Sequence, residues 1–242
     1  WSSDVCSSDL LINELKDLES QYPQFKDDSS PSVRVAGMVL DGFSTVKHQA
    51  KMFSLDNTYS IDELREWDKR VRKLLGDNER VEYVAELKID GVSANLTYKK
   101  GKLVIGATRG DGEIGEDITA NIKTIRAVPL SLRSSNPPDF IEIRGEVYME
   151  DKDFRALNKE RESEGDVTFA NPRNAASGSL KLLDTSLVAK RKLNFFAHSL
   201  RAHKGFKIEN QWGFLVQLKD WGMRTNPDTR LCANLDEVID YC

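Results

Sequence analysis

The sequence predicts an α+β fold. Segments with two-residue apolar alternation are mixed with segments of helical periodicity, in no regular strand–helix–strand order. Length supports the same class, because 242 residues can bury a substantial core as one large domain or one domain with an appendage. Composition agrees: 39% hydrophobic and 31% charged residues describe an ordinary folded globular chain rather than a disordered one.

Residues 1–10 (WSSDVCSSDL) repeat an S-S-D pattern without periodicity and are expected to be a non-native scar outside the fold. Leu11, Leu15 and Leu18 recur at helical spacing, so residues 11–20 are expected to form a short amphipathic helix. Pro23 to Gly37 is rich in Asp, Ser and Pro and reads as a linker. Ile61 to Leu75 reads as a helix, with acids in its first turn, bases in its last and Gly76 after it.

From Val81 the period becomes two. A strand is expected over 81–89, with Val81, Tyr83, Ala85, Leu87 and Ile89 on one face and Glu82, Val84, Glu86, Lys88 and Asp90 on the other. Val92 to Tyr98 and Leu103 to Thr108 read as a hairpin turned at Lys99-Lys100-Gly101-Lys102. Arg109 to Asp117 carries three glycines in six residues and reads as a ligand-approaching loop, with a helix resuming over Thr119 to Ile125.

Phe140 to Met149 is the next strand, with Glu142, Arg144 and Glu146 expected to face outward. Asp151 is the expected cap of a helix running to about Glu162. The small residues of Asn171 to Lys181 predict a helix pressed against a neighbouring backbone, with Arg173 and Lys181 at its ends. Leu193 to Leu200 reads as a buried strand, and Trp212 to Trp221 as a core helix capped by Gly222. Asn234 with Glu237 reads as a capping box. The chain stops inside that helix, so it is expected to be a C-terminally truncated fragment.

Several functional classes are set aside at once. No apolar run approaches the length of a membrane span and no signal-peptide core is visible, so no membrane partner is expected. Cys6, Cys232 and Cys242 are odd in number and form no C-x-x-C pair, which points to a reducing, cytoplasmic setting. His48, His198 and His203 lie at no metal-ligand spacing, so no metal residues are assigned. The net charge of −4 supplies no global basic field, and any nucleic-acid contact must use local patches.

The chemistry-bearing segment is Glu86-Leu87-Lys88-Ile89-Asp90-Gly91, an amine flanked by two carboxylates and followed by glycine. It suits a lysine acting on a phosphorylated ligand, although an ammonium attacks poorly until its surroundings favour the neutral amine. Arg109 and Glu146, on separate strands, are plausible clamps for a phosphate and for ribose hydroxyls. No Walker A or Rossmann glycine pattern is present.

Lys88-Ile89-Asp90-Gly91 resembles motif I of the covalent nucleotidyltransferases, the polynucleotide ligases and capping enzymes. A wider set resembles the adenylation domain of bacterial NAD+-dependent DNA ligases: residues 48–57 (HQAKMFSLDN), 108–117 (TRGDGEIGED), 143–147 (IRGEV), 169–180 (FANPRNAASGSL) and Phe195-Phe196-Ala197. Four positions depart from the family's usual residue: Lys51 for Pro, Ser177 for Ala, Lys181 for Arg and His198 for Tyr. Of these, Lys181 gives up bidentate geometry.

The resemblance implies the DNA ligase/mRNA capping enzyme fold, with mostly antiparallel sheets and packed helices. It divides the chain into a remnant of a helical nicotinamide-mononucleotide (NMN)-binding domain plus linker (11–42) and an incomplete adenylation domain (43–242). It implies that Lys88 accepts AMP from NAD+, releasing NMN, before nick sealing in DNA replication and repair. Ser54, Leu55 and Glu86 would line the adenosine pocket, Arg109 would contact the nucleotide and Glu146 the ribose. Arg173 and Lys181 would meet the phosphates of nicked double-stranded DNA. Mg2+ is implied as a cofactor, with zinc only in regions absent from this chain, and no obligate protein partner. The alternatives are an ATP-using ligase or capping-type enzyme, and a truncated chain that binds nucleotide or DNA without turnover.

Overall fold

The computed structural model describes residues 7–27, 29–32, 39–52, 57–76 and 80–242. The expected α+β class holds: every strand pairing among these residues is antiparallel, and helices pack around the strands. The central sheet has the order β4-β3-β6-β7, built from β3 (Val92–Lys99), β4 (Lys102–Thr108), β6 (Phe140–Tyr148) and β7 (Asn194–Lys204). Its hairpin turns where the sequence placed it. Lys100 and Gly101 both take positive φ, 47° and 77°, the backbone that matches a two-residue turn to strand twist. β3 and β6 pair without interruption from Val92↔Val147 to Lys99↔Phe140. β6 and β7 shift register twice, and the shift between Arg144 and Gly145 leaves His198 as the extra residue.

One face of this sheet is the core. Ala94, Leu96, Tyr98, Ile141, Ile143, Val147, Phe195 and Ala197 are fully buried. They join a continuous apolar cluster with side chains of α3 (Thr119–Thr124), α5 (Pro172–Leu180), α6 (Thr185–Lys190) and α7 (Gln211–Asp220). The close packing expected of the small-residue helix is present: Ala175 and Ala176 are wholly buried, and a Cβ on Gly178 would come within 2.8 Å of the Phe169 ring. Asn121, fully buried, donates to the Leu180 and Leu182 carbonyls at 2.8 and 2.9 Å and fixes where the chain leaves α5.

α2 (Ile61–Leu75) has its predicted bounds, opened by Ser60 accepting from the Glu63 N–H and closed at Gly76 with φ 99°. Its Asp68 pairs with Arg72 at 2.9 Å and accepts from the Tyr83 hydroxyl on β2 (Tyr83–Ala85). β2 pairs with β8 (Arg230–Cys232), and α8 (Leu235–Tyr241) begins where Asn234 accepts from the Glu237 N–H at 3.0 Å.

Five expectations change. The strand expected over 81–89 is only three residues long, because β8 offers no partner beyond Ala85. Its alternation then fails, leaving Leu87 half exposed and Glu86 half-buried. α1 (Ser7–Gln21) starts four residues before Leu11, inside the stretch read as lacking periodicity. The loop 109–117 contains a strand, β5 (Ile114–Glu116), paired with β1 (Thr45–Lys47). The cap of α4 (Asp151–Glu164) is Glu150, with Asp151 and Asp153 in the first turn, where acids meet the positive end of the helix dipole. Glu142 and Arg144, expected to face outward, are 3% and 6% exposed because the 43–52 and 109–117 segments close over that face. Part of the 23–37 linker, residues 28 and 33–37, lies outside the described residues; Pro23–Phe25 forms one 3-10 turn.

Gly145 lies mid-strand with no room for a side chain, since a Cβ would overlap the Phe195 ring and the Phe196 carbonyl. Gly145→Ala is expected to lower the unfolding free energy by about 2 kcal/mol or more in urea denaturation, the scale of overpacking. Gly165→Ala, at φ 77° in open space, carries only the backbone penalty of about 1 kcal/mol. Equal losses at the two sites would disprove this account.

Candidate active site

Lys88 leaves β2 on irregular backbone and stands exposed. The segment is held from both sides. Asn226 donates to the Leu87 carbonyl at 3.1 Å, and Gly91 sits so tightly on β6 that a Cβ would overlap the Val147 carbonyl and lie 2.9 Å from Glu146 Cγ. Only glycine allows this approach. The nearby Gly91 amide favours the charged form of the Glu146 carboxyl.

Around Lys88 the fold gathers three more of the expected residues. Arg173, in the first turn of α5, reaches across to Asp90 at 3.2 Å, an exposed pair of small stabilising value. Glu146 on β6 feels the charges of Arg173, Lys88 and Asp90. Its carboxyl is pushed up to about 7 by burial, against the opposing pull of Arg173 and Lys88. Near neutrality it is therefore part acid and part carboxylate, able to donate as well as accept a hydrogen bond to a hydroxyl. Glu86, half-buried, is also raised by burial, against the lowering influence of Gln211 and of Thr229, whose hydroxyl donates to it at 3.5 Å. The Gln211 side chain donates to the His198 carbonyl at 2.6 Å.

Arg109 follows β4, and its carbonyl lies 3.2 Å from His48 Nε2. Its charge acts on Arg144, which burial and the nearby Arg201 and Arg109 push down to about 10. Lys181 is not gathered at Lys88. It lies at the other end of α5, roughly 12 Å from Arg173 by helix rise, and pairs with Glu116 at 3.0 Å. Ser54 and Leu55 lie outside the described residues.

Sequence reasoning missed the covered polar face of the sheet. Asn95, Glu142 and Arg144 are all less than a tenth exposed, and His198 is pushed down to about 4 by burial and by Arg144 and Arg201. The signal was available, since Asn95 and Thr97 alternate with the apolar positions of β3 just as Glu142, Arg144 and Glu146 do on β6. What was missing was the lid. The segment that carries Gln49 supplies it, with the Gln49 N–H 3.4 Å from the Glu142 carboxylate.

The chemical capacity follows from this arrangement. An exposed primary amine stands beside an arginine held only by a weak, exchangeable partner, so an incoming phosphate can take Arg173 from Asp90. Glu146 lies next to both and suits a ribose hydroxyl. The Glu146 shift has a consequence for stability. The folded state holds that proton from about pH 4.5 to about 7 while the unfolded chain has released it, so stability falls as pH rises through this window. Glu146→Gln is expected to flatten that part of the profile in pH-dependent denaturant titrations, and an unchanged slope between pH 5 and about 7 would contradict the assignment.

The NAD-dependent DNA ligase adenylation domain family matches residues 40–242 of this chain. The chain is 53% identical over 233 residues to the DNA ligase of Thermotoga neapolitana, covering 96% of this chain and 33% of that protein. It is 49% identical to the DNA ligase of Desulforamulus reducens and 48% identical to that of Pseudothermotoga lettingae, each over 233 residues, 96% of this chain and 34% of the relative. The chain thus spans about a third of the length of the curated relatives it matches. With the gathered lysine, glutamate and arginine, these matches establish that the chain belongs to the NAD-dependent DNA ligase adenylation domain family.

Proposed function

We propose that this chain is the nucleotide-accepting part of an NAD+-dependent DNA ligase and that Lys88 is its nucleophile. The observation that carries the reading is the meeting of Lys88 with Asp90, Gly91, Glu146 and Arg173 at one end of the central sheet. In the proposed step the neutral Lys88 amine attacks the adenylate phosphorus of NAD+. An N–P bond forms, the P–O bond to nicotinamide mononucleotide breaks, and the amine proton is released. Glu146 holds the ribose, Glu86 and the Ser54-Leu55 segment line the adenosine pocket, and Arg109 contacts the nucleotide. Arg173 steadies the phosphate by giving up its weak pair with Asp90.

The adenylate then passes to the 5′-phosphate of a nick in double-stranded DNA, and the 3′-hydroxyl displaces AMP. Arg173 and Lys181, at opposite ends of α5, are the proposed contacts to the DNA backbone. Lys181 must exchange Glu116 for a phosphate, and as a lysine it makes a point-charge contact rather than a forked one. Replication and repair in a cytoplasmic setting complete the reading.

Mg2+ belongs to the reading as a companion of the phosphates. No group of three His, Cys, Asp or Glu side chains among the described residues could hold a metal ion, so these residues do not form a metal cage. The steps above use only the chain's own groups. Likewise, no helix among the described residues is long and apolar enough to cross a membrane.

In the full-length protein, NAD+ labelled in its adenylate is expected to label Lys88, and labelled ATP is not. Lys88→Ala should reduce labelling to background, and Glu146→Gln should slow it by roughly 10- to 100-fold through lost positioning. Labelling that survives Lys88→Ala, or that ATP alone supports, would overturn the proposal.

A further inference from the structure

A second feature lies at the same end of the sheet but outside the lysine site. The ends of α3 and α6 and the start of β7 enclose a cavity of about 480 Å3. Its floor is apolar, from Ile125, Val188 and Leu193, all buried. Its polar wall carries Arg126, Lys190, Lys192 and Arg224, and no carboxylate lines it. That is unexpected in a chain whose acids outnumber its bases, with a net charge of −4.

The plain explanation is that these cations neutralise the carbonyl ends of α3 and α6. It covers Lys190, in the last turn of α6, and Arg126, one residue past the cap of α3. It covers Lys192 in the same way, one residue past the cap of α6, but not Arg224, which comes from a separate segment. Magnitudes also disfavour it, since each helix end carries about half a negative charge against four full positive charges. Neighbouring acids offset only part of this. Asp153 holds Lys192 at 3.3 Å, Asp184 feels Lys190 from a distance, and Glu150, which also feels Arg224, is held by Lys152 at 2.6 Å. Arg126 and Lys190 have no ion-pair partner within 4 Å among the described residues. Arg224 spends one donor on the Asn194 side chain at 3.2 Å and keeps the others.

Position supplies the ligand class. Asn194 lines the cavity and pairs with Tyr148, two residues beyond Glu146 on β6. Two residues along a strand and one step across place the cavity roughly 10 Å from Glu146. That is about three nucleotide rises along one DNA strand. We propose that this cationic cavity is a second backbone clamp, which holds phosphates of the duplex flanking the nick while the Lys88 end engages the nick itself. The proposal rests on the ligase reading for its substrate.

The test is the salt dependence of binding between this chain and a nicked duplex, followed by fluorescence anisotropy from 50 to 200 mM salt. Each phosphate contact contributes about 0.9 to the log–log slope. Arg126→Gln with Lys190→Gln is expected to lower that slope by nearly two and to weaken binding at least 10-fold at 50 mM salt. Lys159→Gln with Lys219→Gln, exposed on α4 and α7, should leave it within experimental error. If the double variant does not fold, Arg224→Gln alone decides the matter, with a slope lower by about one. An unchanged slope overturns the clamp, as does a loss matched by the control pair or the absence of any duplex binding by the unsubstituted chain. A cavity that binds inorganic phosphate without altering the slope overturns it too. Adenylate labelling of Lys88, read in parallel, should be the same in every variant. If it is missing from all of them, including the unsubstituted full-length protein, the ligase reading fails while the DNA measurement still judges the clamp.

Discussion

The contact between Gly91 and β6 is the constraint on which the site depends. Gly91 lies so close to the Val147 carbonyl and the stem of Glu146 that no side chain fits between them. This fixes the end of an otherwise irregular segment to the most deeply buried strand pair of the molecule. Lys88, three residues earlier, inherits that anchor without losing its exposure. A side chain at residue 91 would lift the segment from the sheet and separate the amine from the acid. Burial at this packed junction pushes the Glu146 carboxyl up, against the lowering influence of the Gly91 amide.

Charge is arranged around this anchor in two layers. At the rim, Lys88, Arg173 and Asp90 are exposed and weakly paired, so they can exchange partners when a phosphate arrives. Behind them, Arg144 and Arg201 concentrate positive charge on the covered sheet face, and burial together with these two cations holds His198 neutral to well below physiological pH. Burying Arg144 beside other cations costs stability, since its Nε and Nη2 have no hydrogen-bond partner. Such a cost is usually carried at a functional surface, where a bound anion relieves it. The cationic cavity near Asn194 extends the same sign of charge around the end of the sheet, giving the molecule a positive path within an overall acidic chain.

Much of the fold was legible because local rules and tertiary context agreed. α2 has the bounds its charges and Gly76 predicted, and the Lys100-Gly101 turn appears where a two-residue hairpin requires it. α5 packs as closely as its small residues suggested. The strand through Lys88 failed for a reason no local pattern contains: β8, more than a hundred residues later, pairs with only three of its residues. The outward reading of Glu142 and Arg144 failed similarly, because alternation separates two faces but does not say whether another segment covers the second.

The sequence by itself determined which residues are candidates for the reacting group and its companions. Lys88, Arg109 and Glu146 could be named as candidates from residue type and spacing, because a nucleophile, a phosphate donor and a ribose acceptor are chemical requirements that few side chains meet, while Glu86 and Arg173 were named only through the resemblance of their motifs. Only the tertiary structure decided which of them meet. It brought Glu146 and Arg173 to Lys88 across separations of 58 and 85 residues and sent Lys181 to Glu116 instead. It also put Glu146 in a dry setting and gathered four cations around one cavity. Burial and long-range charge depend on every segment packed nearby, and such sums over the whole fold are written in no short stretch of chain.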